Sequence, residues 1–162
     1  MNAPLMLSPE ALARIDRAVA KYPQGEQQSA VMAALTIAQD EKGWLSTEVM
    51  DFVAHYLGMP TIAVYEVASF YTMYNLKPVG RCKLTLCTNL PCALQGATAA
   101  AKHLKDKLGI DFNETTPDGR ITLTEGECLG ACGDAPVLLH NNKRMLCAMT
   151  PQKLDELLKE LD

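Results

Sequence analysis

The hydrophobic pattern of this 162-residue chain changes its period once, near the middle, and this change limits what the chain can fold into. In the first half the apolar residues recur every three or four positions, as on the buried face of a helix. In the second half they begin to alternate with polar residues, as in a β-strand. Pro78 and Gly80 lie between the two patterns and interrupt any continuing helix. The sequence therefore predicts a small helical bundle over residues 1–76 and a second domain over residues 77–162, with a linker at about 75–81.

Four helices are predicted in the first domain from residues that favour helix ends. Ser8 before Pro9 is typical of an N-cap followed by the first helical position. Gly43 and Gly58 stand where the left-handed residue after a helix is expected. The four helices are predicted to begin near Ser8, Glu26, Ser46 and Thr61, with Ser46 and Thr61 as N-caps.

The second domain is predicted to follow the order β-α-β-β-β-α. Its first strand starts at Cys82, and Asn141-Asn142 is typical of a hairpin turn. The predicted strands cover residues 82–86, 120–125, 137–140 and 143–147, and the helices cover about 93–108 and the segment after Thr150. This order suits a thioredoxin-like sheet covered by helices. The predicted fold class is therefore mixed α+β or α/β: an N-terminal helical bundle followed by a thioredoxin-like βαβββα domain.

All six cysteines lie at or after Cys82, and they divide into four in loops and two in strands. The four loop cysteines are Cys87, Cys92, Cys128 and Cys132. Cys82 and Cys147 share strand faces with apolar residues, so we predict both as buried thiols that pack like small hydrophobic groups. Six cysteines are too few for a disulfide-dense secreted scaffold. In a reducing compartment, clustered cysteines more often bind metal.

The spacing of the loop cysteines indicates a metal centre but leaves the metal open. Four residues separate Cys87 from Cys92, and three separate Cys128 from Cys132, which structural zinc sites also accept. The 35 residues between the two pairs exceed the usual gap of a zinc ribbon. A plant-type ferredoxin run would need a cysteine where Gln95 stands. The chain has no C-x-x-C motif, so a redox dithiol is the less favoured alternative.

A family resemblance narrows these alternatives. The segments CTNLPC and ECLGACGDAP, with GWLS and YEVASFYTMY upstream, closely resemble the small iron–sulfur subunit (the E subunit) of the NADH-binding module of bacterial NADH:quinone oxidoreductase. The resemblance runs from about residue 8 to 161. It implies that Cys87, Cys92, Cys128 and Cys132 hold one [2Fe–2S] cluster and that the chain has no catalytic residue of its own. Small subunits of NAD-linked formate dehydrogenases and hydrogenases share the pattern and form an alternative.

The resemblance also implies a partner that supplies the electrons. The chain contains neither G-x-G-x-x-G nor G-x-x-x-x-G-K-[ST], so FMN and NADH are expected on the flavin- and NADH-binding subunit. Other peripheral-arm subunits are expected beside it. The aromatic-rich helical half is predicted to contact this partner, although most of its aromatic side chains are expected to form the bundle core. The aromatic residues considered are Trp44, Phe52, Phe70 and Tyr71.

Two acidic residues next to the second cysteine pair suggest a further hypothesis. Glu127 and Asp134 would place negative charge near a cluster that already carries negative charge. Added negative charge disfavours reduction, so the hypothesis is that both carboxylates lower the reduction potential. The alternative is that both are ordinary solvated loop carboxylates.

Charge and hydropathy exclude several other classes of protein. The net charge is −4, and residues 43–76 contain no lysine or arginine, so a nucleic-acid partner is not expected. The longest uncharged run, residues 84–101, is broken by polar residues, proline and glycine and is not expected to enter a membrane. The N-terminus lacks a targeting pattern, which predicts a cytoplasmic protein. The resemblance implies a place at the cytoplasmic face of the inner membrane, as part of a complex. His55, His103 and His140 are expected to be surface or capping residues.

Overall fold

The structure is a computed structural model that describes residues 6–161, and these residues divide into two compact units between Pro78 and Val79. Each unit has its own cluster of buried apolar side chains. Residues 1–5 lie outside the described residues. They are part of the N-terminal segment in which we predict no targeting signal. In the part that is described, no helix combines the length and the apolar character needed to cross a bilayer.

The first unit consists of four helices. They are α1 (Pro9–Val19), α2 (Val31–Lys42), α3 (Thr47–Leu57) and α4 (Thr61–Phe70). Side chains from all four helices are fully enclosed in one core, which includes Ile15, Leu35, Ala38, Val53 and Val64. The predicted helical bundle is therefore what the described residues of this unit form.

Local capping chemistry explains most of the helix ends. The Ser8 hydroxyl accepts the Ala11 N–H at 3.1 Å, as the sequence predicts for an N-cap. Gly58 ends α3 with φ of 65°, a left-handed conformation that glycine adopts without steric cost. The prediction that Thr61 is an N-cap was wrong, because Pro60 takes the extended N-cap conformation and Thr61 becomes the first helical residue.

The predicted start of the second helix at Glu26 was also wrong. Glu26 makes no side-chain capping hydrogen bond, and Gln27–Ala30 forms a separate 3₁₀ turn before α2. Without a capping side chain, the exposed N–H groups of a first turn are partly satisfied by tighter i to i+3 bonds. The α-helix therefore begins five residues after the predicted start.

The second unit contains a mixed sheet and three helices. The strands are β1 (Cys82–Cys87), β2 (Glu114–Thr115), β3 (Ile121–Gly126), β4 (Leu138–His140) and β5 (Arg144–Leu146), and the helices are α5 (Leu90–Leu94), α6 (Ala97–Leu108) and α7 (Pro151–Glu160). The strand order is β2-β3-β1-β4-β5. Strands β1 and β3 are parallel, and the other neighbours are antiparallel. The predicted fold class is confirmed.

One face of this sheet is apolar and forms the core of the unit with α6 and α7. The buried side chains include Leu84, Leu86, Ile121, Leu123, Leu138, Leu104 and Leu154. On the other face, the hydroxyls of Thr85 and Thr124 are hydrogen-bonded at 2.7 Å. The alternation predicted for β1 thus separates an apolar face from a face with polar groups, although Lys83 on the second face is only 9% exposed. Burial lowers the pKa of Lys83.

Two local predictions for the second unit were wrong. The helix predicted over residues 93–108 is interrupted at Gly96, whose φ of 98° ends one helical turn and precedes α6. The two-residue strand β2 was not predicted, because two residues are too short to show an alternating pattern. The position of β2 is set by its pairing with β3, and this pairing exists only in the folded chain.

His140 is less exposed than expected for a surface residue. Its Nε2 atom is enclosed and has no hydrogen-bond partner among the described residues. Burial, with a smaller effect from the Arg144 guanidinium, lowers the pKa of His140 below 6.5. The folded protein therefore resists protonation at a pH where the unfolded chain accepts a proton.

This difference predicts a pH dependence of stability. The stabilising effect of neutral His140 is present above the unfolded pKa and is lost as the pH falls below it, so the free energy of unfolding should decrease between about pH 7.5 and about pH 5.5. Urea unfolding at the two pH values measures the decrease. The same decrease should be smaller in His140→Gln, and an equal decrease in both proteins would contradict the prediction.

Candidate metal centre

The two cysteine loops leave the sheet at the same edge because the strands before them are parallel. Cys87, the last residue of β1, is paired with Gly126, the last residue of β3. The carboxyl ends of parallel neighbours lie side by side, so the chain segments that follow them are brought together. The N–H of Cys87 donates to the Val137 carbonyl at 3.0 Å, and the N–H of Thr88 donates to the Gly126 carbonyl at 3.0 Å. The segment before β4 therefore joins the two loops at this edge.

Cys87 and Cys92 form the buried side of the site, and each is 1% exposed. Cys87 ends a strand, whereas Cys92 lies within the short helix α5. The two residues pack in one apolar cluster with Ala97 and Val137. The Cys87 thiol donates a hydrogen bond to the Glu127 carbonyl at 3.4 Å, which links this half of the site to the second loop.

Cys128 and Cys132 form the exposed side of the site. Between them, Gly130 has φ of 75°, a left-handed turn that an L side chain would strain. Cys132 starts a 3₁₀ turn that ends at Asp134. The Asp134 carbonyl accepts the Ala148 N–H at 2.8 Å, so a segment beyond β5 holds this loop.

Gly126, the last residue of β3, meets a packing requirement that the sequence pattern does not show. A Cβ atom at Gly126 would stand 3.0 Å from the Thr85 Cγ2, a tight contact inside the sheet. At Gly133, by contrast, an added Cβ would meet no atom of the described chain within 4 Å. The packing requirement at Gly126 becomes visible only once β1 and β3 are paired.

Two of the four thiols, those of Cys92 and Cys132, have raised pKa values. Burial raises the pKa of Cys92, and the neighbouring thiols of Cys87 and Cys132 raise it further. A hydrogen bond from the backbone N–H of Val137 acts in the opposite direction. Burial likewise raises the pKa of Cys132, with additional effects of Cys128 and Cys87. Neither shift favours a thiolate nucleophile, which disfavours the thiol oxidoreductase alternative.

The four thiols lie close enough together to affect one another. The thiols of Cys87 and Cys132 raise the pKa of Cys92, and those of Cys128 and Cys87 raise the pKa of Cys132. Two cysteines from each loop match the two thiolates that each iron of a [2Fe–2S] cluster takes from the protein. Four soft thiolate donors at one edge of the sheet therefore fit this cluster.

The structure leaves the remaining cysteines outside these pairs. Cys82 is half-buried and packs against the core of the second unit, close to the prediction. The prediction that Cys147 is buried was wrong, because β5 is an edge strand that ends at Leu146. Ala148 then turns the chain with φ of 50°, and Cys147 is exposed.

The other candidate polar residues are exposed or have contacts of their own within their units. Glu127 and Asp134 are both exposed on the second loop, and their effect on a potential stays a hypothesis. The His55 ring is hydrogen-bonded to the Asp51 carbonyl at 2.8 Å. The ring of His103 contacts Asp155 at 2.8 Å and bridges α6 and α7.

Two of the aromatic residues expected in the helical core are exposed instead. Phe70 is 78% exposed and Tyr71 is 40% exposed, whereas Phe52 and Trp44 are partly buried. Tyr71 follows the end of α4 and so leaves the helical face that buries Val64, whereas Phe70, six positions after Val64, lies on another side of the helix. The two rings contact each other edge to face, with centroids 5.1 Å apart.

Fold and site together define a class: a thioredoxin-like α+β protein with four paired thiols at one edge of its sheet. A family model described as thioredoxin-like [2Fe–2S] ferredoxin matches residues 15–162. The chain belongs to this family. The family implies one [2Fe–2S] cluster, in agreement with the paired donor set.

Relatives with similar sequences extend the match beyond the sheet. The chain is 42% identical over 144 residues to the E subunit of NADH-quinone oxidoreductase from Rickettsia bellii, covering 88% of this chain and 86% of that protein. It is 49% identical over 124 residues to an E subunit of NADH-quinone oxidoreductase from Rhizobium meliloti, covering 76% and 73%. A third relative is the mitochondrial NADH dehydrogenase [ubiquinone] flavoprotein 2 of Dictyostelium discoideum, 41% identical over 160 residues. The match covers 96% of this chain but only 65% of that relative.

A solved structure shares the fold. The NAD⁺-reducing [NiFe]-hydrogenase in its H₂-reduced state contains a chain that superposes with a TM-score of 0.71 at 22% identity. The superposition covers 81% of this chain and 22% of that chain. At this identity the likeness concerns the fold alone.

Proposed function

We propose that this chain is the one-electron-carrying subunit of the NADH dehydrogenase module of an NADH:quinone oxidoreductase. Cys87, Cys92, Cys128 and Cys132 would hold its [2Fe–2S] cluster. The observation that carries the proposal is the meeting of the two cysteine loops at the edge where parallel β1 and β3 end. The two bacterial relatives, both E subunits of NADH-quinone oxidoreductases, support the assignment to this complex.

The residues of the chain have distinct tasks in this proposal. A bound [2Fe–2S] cluster stores and releases one electron at a time. The apolar walls of Ala97 and Val137 keep water from the buried pair, and burial makes added negative charge more costly. The N–H of Val137 donates toward the Cys92 sulfur and offsets part of this cost. The two effects act on the reduction potential of the cluster in opposite directions: burial lowers it, and the N–H donor raises it.

The electron source lies on another chain in this proposal. The sequence has no dinucleotide or P-loop motif, so the flavin- and NADH-binding subunit would carry FMN and NADH. The relatives are subunits of oxidoreductases, and this chain would act in catalysis only as an electron-transfer subunit. Its place would be the cytoplasmic face of the inner membrane, peripheral and within the complex. The helical unit would contribute to partner binding, as proposed for residues 1–76.

Metal analysis tests this proposal against a structural zinc module. Protein purified without oxygen should contain about two irons and about two acid-labile sulfides per chain, and dithionite should produce a spin-half signal in low-temperature electron paramagnetic resonance. Zinc alone, or four irons, would overturn the assignment. Co-purification then identifies the parent complex, because a hydrogenase or formate dehydrogenase would bring a different catalytic subunit.

A further inference from the structure

Two leucines beside the buried cysteine pair are among the most exposed apolar side chains of the chain. Leu90 is 67% exposed and Leu94 is 76% exposed. They stand four positions apart on α5, so both lie on one side of this helix. Cys92, halfway between them in sequence, points inward and is 1% exposed. The helix thus presents two leucines to solvent and one sulfur to the candidate metal centre.

This placement is unusual for the second unit. Among the described residues after Pro78, Met145 is the only other large apolar side chain that is well exposed, at 40%. The chain around the leucines carries no charge, since residues 84–101 lack Asp, Glu, Lys and Arg. A neighbouring pair of exposed leucines without charges between them is typical of a contact surface. We call Leu90 and Leu94 the leucine surface.

Exposed carboxylates stand at the end of β3 and on the second cysteine loop. Glu125, Glu127 and Asp134 are all exposed. The Thr88 hydroxyl donates to the Glu125 carboxylate at 2.7 Å, which joins the acidic side to the segment that leads into α5. A thiolate-ligated cluster would add negative charge at the same edge. A complementary partner would therefore present an apolar recess with lysine or arginine on the side that faces the carboxylates.

We propose that the leucine surface is the contact through which the flavin-binding subunit docks over the metal centre. The inference rests on the proposed function, and it adds the residues and the chemistry of the contact. Leu90 and Leu94 enter an apolar recess of the partner, and basic residues of the partner face Glu125 and Glu127. Docking here covers the helix that carries Cys92, so the partner approaches the cluster beside one of its two buried ligands and excludes water from the path.

The test uses the full chain with its cluster and the flavin- and NADH-binding subunit from the same source. Leu90→Gln/Leu94→Gln should raise the Kd for this subunit at least about tenfold, because the variant no longer buries the apolar surface of two leucines in the contact. Met145→Gln is the matched control and should leave the Kd unchanged. For the wild type, raising NaCl from about 50 mM to about 500 mM should also weaken binding, because salt screens the charge pairs.

Iron and sulfide content shows whether a variant has lost the contact or the cluster. The double variant should retain its cluster. If the double variant loses its cluster, the single variants Leu90→Gln and Leu94→Gln are measured in its place. Wild-type affinity in a cluster-containing leucine variant would overturn the inference and leave the proposed function standing. Failure of the wild type to bind the flavin subunit would overturn the proposed function itself. Self-association of the wild type that the leucine variants abolish, seen by sedimentation, would assign the surface to a second copy and overturn the inference.

Discussion

Cys128→Ala should purify with less than about a tenth of the wild-type iron and sulfide, because removal of one thiolate opens one iron of the proposed cluster to water. Cys128 is exposed, and its thiol is close enough to Cys132 to raise the pKa of that residue. Cys132 is the only other cysteine of this loop, so no further thiol of the loop can take the place of Cys128. Iron and sulfide assays and the visible absorption of the purified protein measure the loss.

Cys147→Ala is the matched control for this experiment. Cys147 is also an exposed cysteine of the second unit, but it lies outside the two thiol pairs. We expect wild-type iron and sulfide content and an unchanged spin-half signal. Loss of the cluster in Cys147→Ala, or its retention in Cys128→Ala, would contradict the assignment of the ligands. The control also separates ligand loss from a general effect of removing a surface thiol.

The parts of the fold that sequence predicts well are those decided by local chemistry. The cap at Ser8 and the left-handed stop at Gly58 depend on atoms within four residues of each position. The Asn141-Asn142 turn is similar, because asparagine tolerates the positive φ values of 50° and 56° found there. Such features need no contact with distant segments of the chain, so the local order of residue types is sufficient to predict them.

The features that were missed depend on contacts between distant segments. Strand β2 exists because Glu114 pairs with Leu123 of β3, and nothing in its two residues indicates a strand. Cys147 follows an apolar pattern, but the edge strand before it is too short to bury it. The break before α6 could have been found from sequence, since Gly96 follows an uncapped turn and glycine favours the left-handed conformation.

The sequence supplies a prediction for the residues of the candidate site but none for its geometry. Spacing alone allowed either zinc or iron–sulfur ligation by the two loops, and the resemblance to a family decided between them. The structure adds a physical reason, since parallel pairing of β1 with β3 places Cys87 beside Gly126 and brings the loops to one edge. The meeting of the two cysteine loops and the tight contact at Gly126 are consequences of that pairing, which no local pattern encodes.

The same pairing makes the metal centre dependent on the core beneath it. Leu86 directly precedes Cys87, is fully buried and contacts the apolar core on the helix-covered face. A change at this position alters the sheet without removing a ligand. It therefore separates the contribution of the scaffold from that of the thiols.

Leu86→Ala should lower the free energy of unfolding by about 2–5 kcal/mol, because it removes buried methyl groups and leaves a cavity in a core that relaxes only partly. A loss of this size is a large fraction of the roughly 5–15 kcal/mol that stabilises a typical domain. Urea unfolding followed by circular dichroism measures it. Leu90→Ala removes the same atoms from a side chain that is 67% exposed, and its effect should stay within about 0.5 kcal/mol. Equal losses in the two variants would show that the apolar face of β1 does not carry the stability of this unit.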